Sequence, residues 1–191
     1  MLFRSDVVFL LNRYFRAMGT AVEAAGGQID KFIGDGVMAL FGVGGRGSEG
    51  CRAALAAARR MAENLDEMNR GLAHDLPTPL RIGVGINVGH VIVGEMGFAR
   101  ATSVTAIGDS VNTASRLETL TKDFACQLIV AEAVADKAGV DLAAFPRHEI
   151  EVRGRVGMMA IRVIEDARAL PLEPLARTAG EGGARPEGAG G

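Results

Sequence analysis

The sequence predicts a single α+β domain in which helices pack on a mixed, mostly antiparallel sheet. Helical and strand patterns alternate irregularly along the chain, and several strands are joined by tight glycine-containing turns that indicate hairpins. The 191 residues are 48% hydrophobic, which is enough apolar surface for one sizeable core. From residue 166 the composition shifts to Ala, Gly, Pro and Arg, so we expect the domain to cover residues 1–165 and a disordered tail to cover 166–191.

Two long helices are predicted in the first half of the chain. The first covers residues 6–25, is capped by Ser5 or Asp6 and ends at two glycines. Its apolar residues recur at helical spacing: Val7, Leu11, Phe15, Met18 and Val22. The second helix runs from Ser48, a plausible N-cap, to Gly71.

An apolar hairpin lies between these helices and turns at Gly34 and Gly36. Ile29, Lys31 and Ile33 should share one side of its first strand, because side chains alternate along a strand. Residues 37–41 contain no polar side chain and predict a buried second strand.

The second half of the chain is predicted to be richer in strands. Residues 81–93 predict one long strand, and "ATSVTAIGDSVNTASRLE" predicts a short strand, a turn at Gly108 and a helix capped by Asp109. Residues 127–130 predict another strand. The final hairpin pairs residues 149–153 with 158–164.

Charge and apolar runs exclude several classes of function. The net charge of −2, with both signs interspersed, provides no basic face for a nucleic acid. The apolar runs are too short to span a bilayer and no signal peptide is present, so we expect a cytoplasmic location. Cys51 and Cys126 lack metal-ligand spacing and are predicted to be buried free thiols.

Several charged or polar residues are candidates for a functional site, and most of them also have an ordinary structural explanation. Lys31 lies in an apolar strand, and Asp35 lies between two glycines, where it could also be only a turn former. Asn112 and Arg116 are four residues apart near a helix N-terminus, which suits a ribose or phosphate but also fits a solvated helix face. Arg153, in the final hairpin, reads by itself as an ordinary exposed arginine.

Three segments in series resemble the catalytic domain of class III adenylate and guanylate cyclases: "GGQIDKFIGDGVMALFG", "RIGVGINVGHVIVGEMG" and "TAIGDSVNTASRLE". The resemblance covers nearly all of residues 6–164. It implies a ferredoxin-like α/β sandwich that works as a head-to-tail dimer with active sites at the subunit interface. It also implies that the 3′-hydroxyl of a nucleoside triphosphate attacks its own α-phosphate, assisted by two Mg²⁺ or Mn²⁺ ions.

The resemblance assigns a role to each matching residue. Asp35 matches a metal-binding carboxylate, and Lys31 matches the lysine that recognises the purine base. Asn112 matches the residue that orients the ribose. Arg116 matches the residue that stabilises charge on the α-phosphate in the transition state, and Arg153 matches the basic residue that reaches the terminal phosphates.

Thr105 aligns with the family residue that partners the lysine in recognising the base. A threonine at this position resembles a subgroup of bacterial-type adenylate cyclases that is often linked to bicarbonate stimulation, whereas guanylate cyclases carry a Glu/Cys-like pair. The resemblance therefore implies ATP rather than GTP as the substrate, and cyclic AMP as the product.

The family's first strand, with an F-x-D-I motif and the other metal carboxylate, has no counterpart in "MLFRSD". We therefore expect a fragment of a longer cyclase, whose upstream region carried a sensor or membrane anchor, and expect this chain to be inactive on its own. Two alternatives stay open. The chain could be a silent partner that completes the site of another protomer, or a regulatory module that binds nucleotide without turnover.

Overall fold

The computed structural model describes residues 4–98, 101–152 and 157–172. Within these ranges the chain forms helices and strands in irregular alternation, as the sequence predicted. In chain order the elements are α1 (Arg4–Ala24), β1 (Gln28–Ile33), β2 (Gly36–Leu40), α2 (Gly47–Gly71), β3 (Val84–Ile86), β4 (Ile92–Phe98), β5 (Ala101–Ile107), α3 (Asp109–Asp123), β6 (Leu128–Ala131), α4 (Glu132–Ala138), β7 (Arg147–Glu151), β8 (Met158–Ile164) and a 3₁₀ turn (Ala167–Ala169).

The strands form one mixed sheet and two hairpins. The sheet has the order β3-β6-β8-β7, with β3 parallel to β6 and the other neighbours antiparallel. The hairpins are β1-β2 and β4-β5, and both are antiparallel. This arrangement confirms the predicted α+β class and the predominance of antiparallel pairing.

The core lies where α2, α3 and α4 meet the mixed sheet. All four residues of β6 are buried, and Leu55 of α2 and Leu117 of α3 pack in the same cluster. Such fully buried aliphatic side chains supply most of the stability of a domain of this size. Residues 37–41, predicted to be buried, are only half-buried, because the β1-β2 hairpin lies outside the mixed sheet.

The strand predicted over residues 81–93 is interrupted, so the prediction of one long strand is wrong. β3 ends at Ile86, and the chain resumes a strand at Ile92 in the other hairpin. The backbone at Gly85 approaches α3 so closely that an added Cβ would meet the Ala114 carbonyl oxygen and the Glu118 nitrogen. Just beyond β3, Asn87 donates a hydrogen bond from Nδ2 to the Ser110 carbonyl at 3.1 Å. Just past the end of β3, the chain is therefore bonded to α3 through the Asn87 side chain.

The helix starts also differ from the prediction. Arg46 and Gly108 occupy the N-cap positions of α2 and α3, and neither makes a side-chain capping hydrogen bond. Ser48 and Asp109, the predicted caps, lie inside the first turns. The short helix α4 was not predicted, because seven residues directly after a strand are too few to show helical periodicity.

At both ends of the described chain, the structure differs from the prediction in which residues are buried or ordered. In α1, Met18 and Val22 are buried as expected, but Val7 is exposed. The disordered tail was predicted from residue 166, whereas residues 166–172 are ordered. Ala167 and Leu170 are buried in the core, and Arg59 of α2 donates to the Leu172 carbonyl at 2.7 Å. Two buried apolar side chains suffice to anchor a segment whose composition suggested disorder, and residues 173–191 lie outside the described ranges.

In the part of the chain that the structure describes, no helix is both long and apolar enough to cross a membrane. Cys51 is buried, as predicted, whereas Cys126 is only partly buried. Burial raises the pKa of both thiols, so neither is primed to act as a nucleophile.

Candidate functional site

The candidate site is built around an irregularity in β1. Ile29 pairs with Ala39 and Lys31 pairs with Met38, so Asp30 is an extra residue with no partner in β2. Such a β-bulge re-aims the side chains beside it. The predicted alternation of Ile29, Lys31 and Ile33 on one side of the strand is therefore wrong across the bulge.

Asp30 joins two residues that the sequence identified separately. Thr105, 75 residues away on β5, donates its hydroxyl to Asp30 Oδ2 at 2.7 Å. The Ala106 N–H donates to Oδ1 at 3.1 Å, and Lys31 Nζ lies 3.2 Å from Oδ2. Lys31 and Thr105 thus flank one carboxylate, which brings together the two residues that the family resemblance assigns to the base.

The Asp30 side chain is held in a buried setting. It is only 2% exposed, whereas the Lys31 side chain is 39% exposed. Burial by itself raises the pKa of the Asp30 carboxyl, but hydrogen bonds from Thr105, Ala106 and Lys31 outweigh it and leave the pKa below its usual value. Asp30 is therefore a carboxylate at neutral pH, and its negative charge faces the Lys31 ammonium.

Asp30 is not among the site residues predicted from the sequence. The available signal was a second charged residue next to Lys31, in a strand that is otherwise almost entirely apolar. A buried carboxylate requires partners, so its presence in such a strand indicates donors on another element. Which element supplies them depends on the tertiary structure.

Asp35 lies at the exposed turn of the β1-β2 hairpin. Among the described residues, no group of three His, Cys, Asp or Glu side chains is placed to hold a metal ion. Asp35 alone does not make the two-ion site that the family resemblance implies, so the described residues do not fit that cofactor. The metal-binding role of Asp35 stays a prediction.

The Tyr14 phenol of α1 is influenced by a charge at the hairpin turn and by a charge on α3. Burial raises the pKa of the Tyr14 phenol, and the negative charges of Asp35 and Glu118 raise it further. Nearby, Phe15 of α1 packs on Phe32 of β1 with ring centroids 4.5 Å apart. Asp35 and the middle of α3 are therefore close enough to act on the same phenol.

Asn112 and Arg116 both lie on the exposed side of α3. The helix is anchored by Thr113, Leu117 and Thr121, which are buried and also spaced by four residues. This spacing leaves the neighbouring positions 112 and 116 facing solvent together, as the sequence predicted. Arg153, the remaining predicted site residue, lies outside the described residues.

The arrangement provides groups that could bind a nucleotide. Lys31 offers donors beside a buried carboxylate, Thr105 offers a hydroxyl, and α3 offers an amide and a guanidinium near its N-terminal half. The ammonium and the hydroxyl suit a base, the amide suits a ribose, and the guanidinium suits phosphates.

Residues 4–165 match the family described as "Adenylate and Guanylate cyclase catalytic domain". An adenylate cyclase of Anabaena cylindrica is 41% identical over 134 residues, which cover 68% of this chain and 26% of that protein. The terminal-differentiation-specific adenylate cyclase of Dictyostelium discoideum is 34% identical over 178 residues, covering 89% of this chain and 8% of that protein. The chain thus spans only a small part of these relatives.

A solved structure described as the guanylyl cyclase Cya2 is similar to the fold seen here. It has a TM-score of 0.74 and 29% sequence identity, and the match covers 85% of this chain and 82% of that one. The similar proteins thus include both adenylate and guanylyl cyclases. The similarity by itself does not identify the purine base.

Proposed function

Because this chain belongs to the family of adenylate and guanylate cyclase catalytic domains, we propose that it converts ATP to 3′,5′-cyclic AMP and pyrophosphate. The observation that carries the proposal is the cluster of Lys31, Asp30 and Thr105, in which an ammonium and a hydroxyl share one buried carboxylate. This is a pair of polar groups that could bind the edge of a purine. The protein would serve in intracellular signalling by making a cyclic nucleotide.

The proposed reaction is an intramolecular phosphoryl transfer. A bond forms between the ribose 3′-oxygen and the α-phosphorus, while the bond from that phosphorus to the bridging oxygen breaks. Pyrophosphate leaves with the electron pair, and the proton of the 3′-hydroxyl passes to solvent. In this proposal Asn112 orients the ribose and Arg116 stabilises the charge that develops on the α-phosphate.

A second protomer is part of the proposal. Asn112 and Arg116 are exposed, and the end of β1 exposes Phe32 and Ile33. Exposed apolar side chains on a domain of this kind favour a partner surface. A head-to-tail homodimer would cover these residues and enclose the nucleotide between two chains.

Cyclic nucleotide formation from ATP or GTP in the presence of Mn²⁺ tests the proposal, at a protein concentration that favours dimers. Cyclic AMP as the product would support the proposal, and in that case we expect Arg116→Ala or Asn112→Ala to lower kcat by about a hundredfold or more, because each removes a donor that acts in the transition state. Lys122→Ala is the matched control, since it removes an exposed cation from the last turn of the same helix. Equal loss in Arg116→Ala and Lys122→Ala would contradict the role of Arg116.

One observation favours a second candidate function, that of a partner which completes another protomer's site. Within the described residues Asp35 has no set of companion metal ligands, whereas Lys31 and Thr105 both contact the Asp30 carboxylate. A folded chain of this kind would make no cyclic AMP alone but would do so when mixed with a related protomer that carries intact carboxylates. Failure of both experiments would reject cyclase activity in either form.

A further inference from the structure

We propose that Asp30 is a positioning residue that fixes the Thr105 hydroxyl as a hydrogen-bond acceptor and thereby selects adenine over guanine. The inference rests on the proposed function, because it concerns the base of a nucleotide bound by Lys31 and Thr105. It assigns to the bulge residue of β1 a role in substrate choice without any contact between Asp30 and the nucleotide.

The direction of the Thr105 hydrogen bond follows from the other contacts of Asp30. Oδ2 accepts from Lys31 Nζ, and Oδ1 accepts from the Ala106 N–H. An ammonium and a backbone N–H can only donate, so the carboxylate serves as an acceptor on both oxygens. The Thr105 hydroxyl, 2.7 Å from Oδ2, therefore directs its single proton to Asp30. Only its oxygen lone pairs remain for a ligand.

Because the Thr105 hydroxyl can only accept a hydrogen bond from a ligand, it suits adenine and does not suit guanine. Adenine carries an amino group at position 6, which donates, whereas guanine carries a carbonyl there, which accepts. A Thr105 lone pair would accept a hydrogen bond from the adenine amino group but would face the guanine carbonyl with no proton between the two oxygens. The Lys31 ammonium has further donors for the unprotonated N1 of adenine, whereas N1 of guanine carries a hydrogen.

The hydrogen bond from the Thr105 hydroxyl to Asp30 is costly to break. The bulge directs the carboxylate inward, three donors hold it, and its side chain is 2% exposed, so water does not compete for it. Turning the hydroxyl toward a guanine carbonyl would leave a buried carboxylate short of one donor. An unpaired polar group in such a site typically costs a factor of about 5 to 150 in binding.

Equilibrium binding of the α,β-methylene analogues of ATP and GTP, which cannot be cyclised, tests the inference with Mn²⁺ present. We expect the wild type to prefer the adenine analogue and Asp30→Asn to reduce that preference by about tenfold to a hundredfold, because an amide can donate to Thr105 and reverse its polarity. Asp75→Asn, at an exposed loop position after α2, is the matched control and should keep the preference.

A second variant separates positioning from a general structural effect. Thr105→Val removes the hydroxyl, so in that background Asp30→Asn should cause no further change in the adenine-to-guanine ratio. A further change of tenfold would overturn the inference. Circular dichroism and the thermal midpoint of each variant show that the compared proteins are folded.

A measurement on the wild type alone covers the case in which Asp30→Asn does not fold. Purine riboside triphosphate lacks a group at position 6, and inosine triphosphate carries a carbonyl there. We expect affinity to fall from ATP to purine riboside triphosphate and again to inosine triphosphate. Inosine triphosphate binding as tightly as ATP would show that Thr105 can donate, and it would overturn the inference.

The two proposals fail in different ways. A wild type that makes cyclic AMP, while folded Asp30→Asn keeps the full adenine preference, overturns the role of Asp30 and leaves the proposed function standing. A folded wild type that binds neither nucleotide analogue overturns both. Loss of the adenine preference in Asp30→Asn but not in Asp75→Asn supports the role of Asp30, and cyclic AMP formation by the wild type separately tests the proposed function.

Discussion

Replacing Gly85 with alanine should loosen the helix that carries Asn112 and Arg116. Gly85 is the middle residue of β3, and α3 crosses directly over it. An added Cβ would lie 2.9 Å from the Leu117 carbonyl carbon and closer still to the Ala114 oxygen and the Glu118 nitrogen. Because carbon atoms pack best at roughly 3.5–4.0 Å, α3 would have to move away by about 1 Å.

The expected cost lies at the upper end of the range for overpacking. The obstructing atoms belong to the helix backbone, which cannot rotate away as a side chain can. We therefore expect Gly85→Ala to lower the free energy of unfolding by about 3 kcal/mol. In a domain of this size that corresponds to a drop in the thermal midpoint of roughly 6–12 °C. At a temperature where the variant is folded, the displacement of Arg116 should also lower the kcat of the proposed cyclase reaction, by up to about a hundredfold.

Two other glycines serve as controls in the same thermal and urea unfolding measurements. A Cβ at Gly94 in β4 would meet no atom within 4 Å, so Gly94→Ala should be neutral or slightly stabilising. A Cβ at Gly83 would meet mainly the Thr121 side chain, which can shift, so Gly83→Ala should fall between the two. If Gly85→Ala and Gly94→Ala differ by less than about 0.5 kcal/mol, the close approach of α3 is not a constraint on stability.

Two further predictions concern stability. Leu170→Ala should lower the free energy of unfolding, measured in urea, by about 2–4 kcal/mol, because Leu170 is buried in the core. Pro171→Ala, at the exposed neighbouring position, is the control and should change the free energy of unfolding little. Equal urea midpoints for the two variants would refute the packing of this segment on the core. The stability advantage of the wild type over Asp30→Asn should be constant near neutral pH and should shrink as the pH falls below about 4, because the Asp30 pKa is lower in the folded chain than in the unfolded chain. Urea unfolding between pH 7 and pH 3 measures this difference, and an advantage that does not shrink would argue against an ionised Asp30.

The resemblance in the sequence predicted the family and the fold, and the comparisons confirm both. The individual elements that were predicted well depend on local patterns. Helix α1 and the β1-β2 hairpin show clear periodicity or glycine turns, and Asn112 and Arg116 share a face of α3 because of helix geometry alone. The roles of these residues at the site stay predictions.

The remaining features depend on contacts between residues that are distant in the sequence. The bulge at Asp30 shifts the register of β1, and it brings Lys31 into contact with a carboxylate that also accepts from Thr105, 75 residues away. The predicted strand 81–93 is interrupted after Ile86, where Asn87 bonds to the Ser110 carbonyl of α3, and the segment 166–172 is ordered because Leu170 reaches the core. Local periodicity reports which side of an element is apolar, but it carries no information about which distant backbone or carboxylate will face that side.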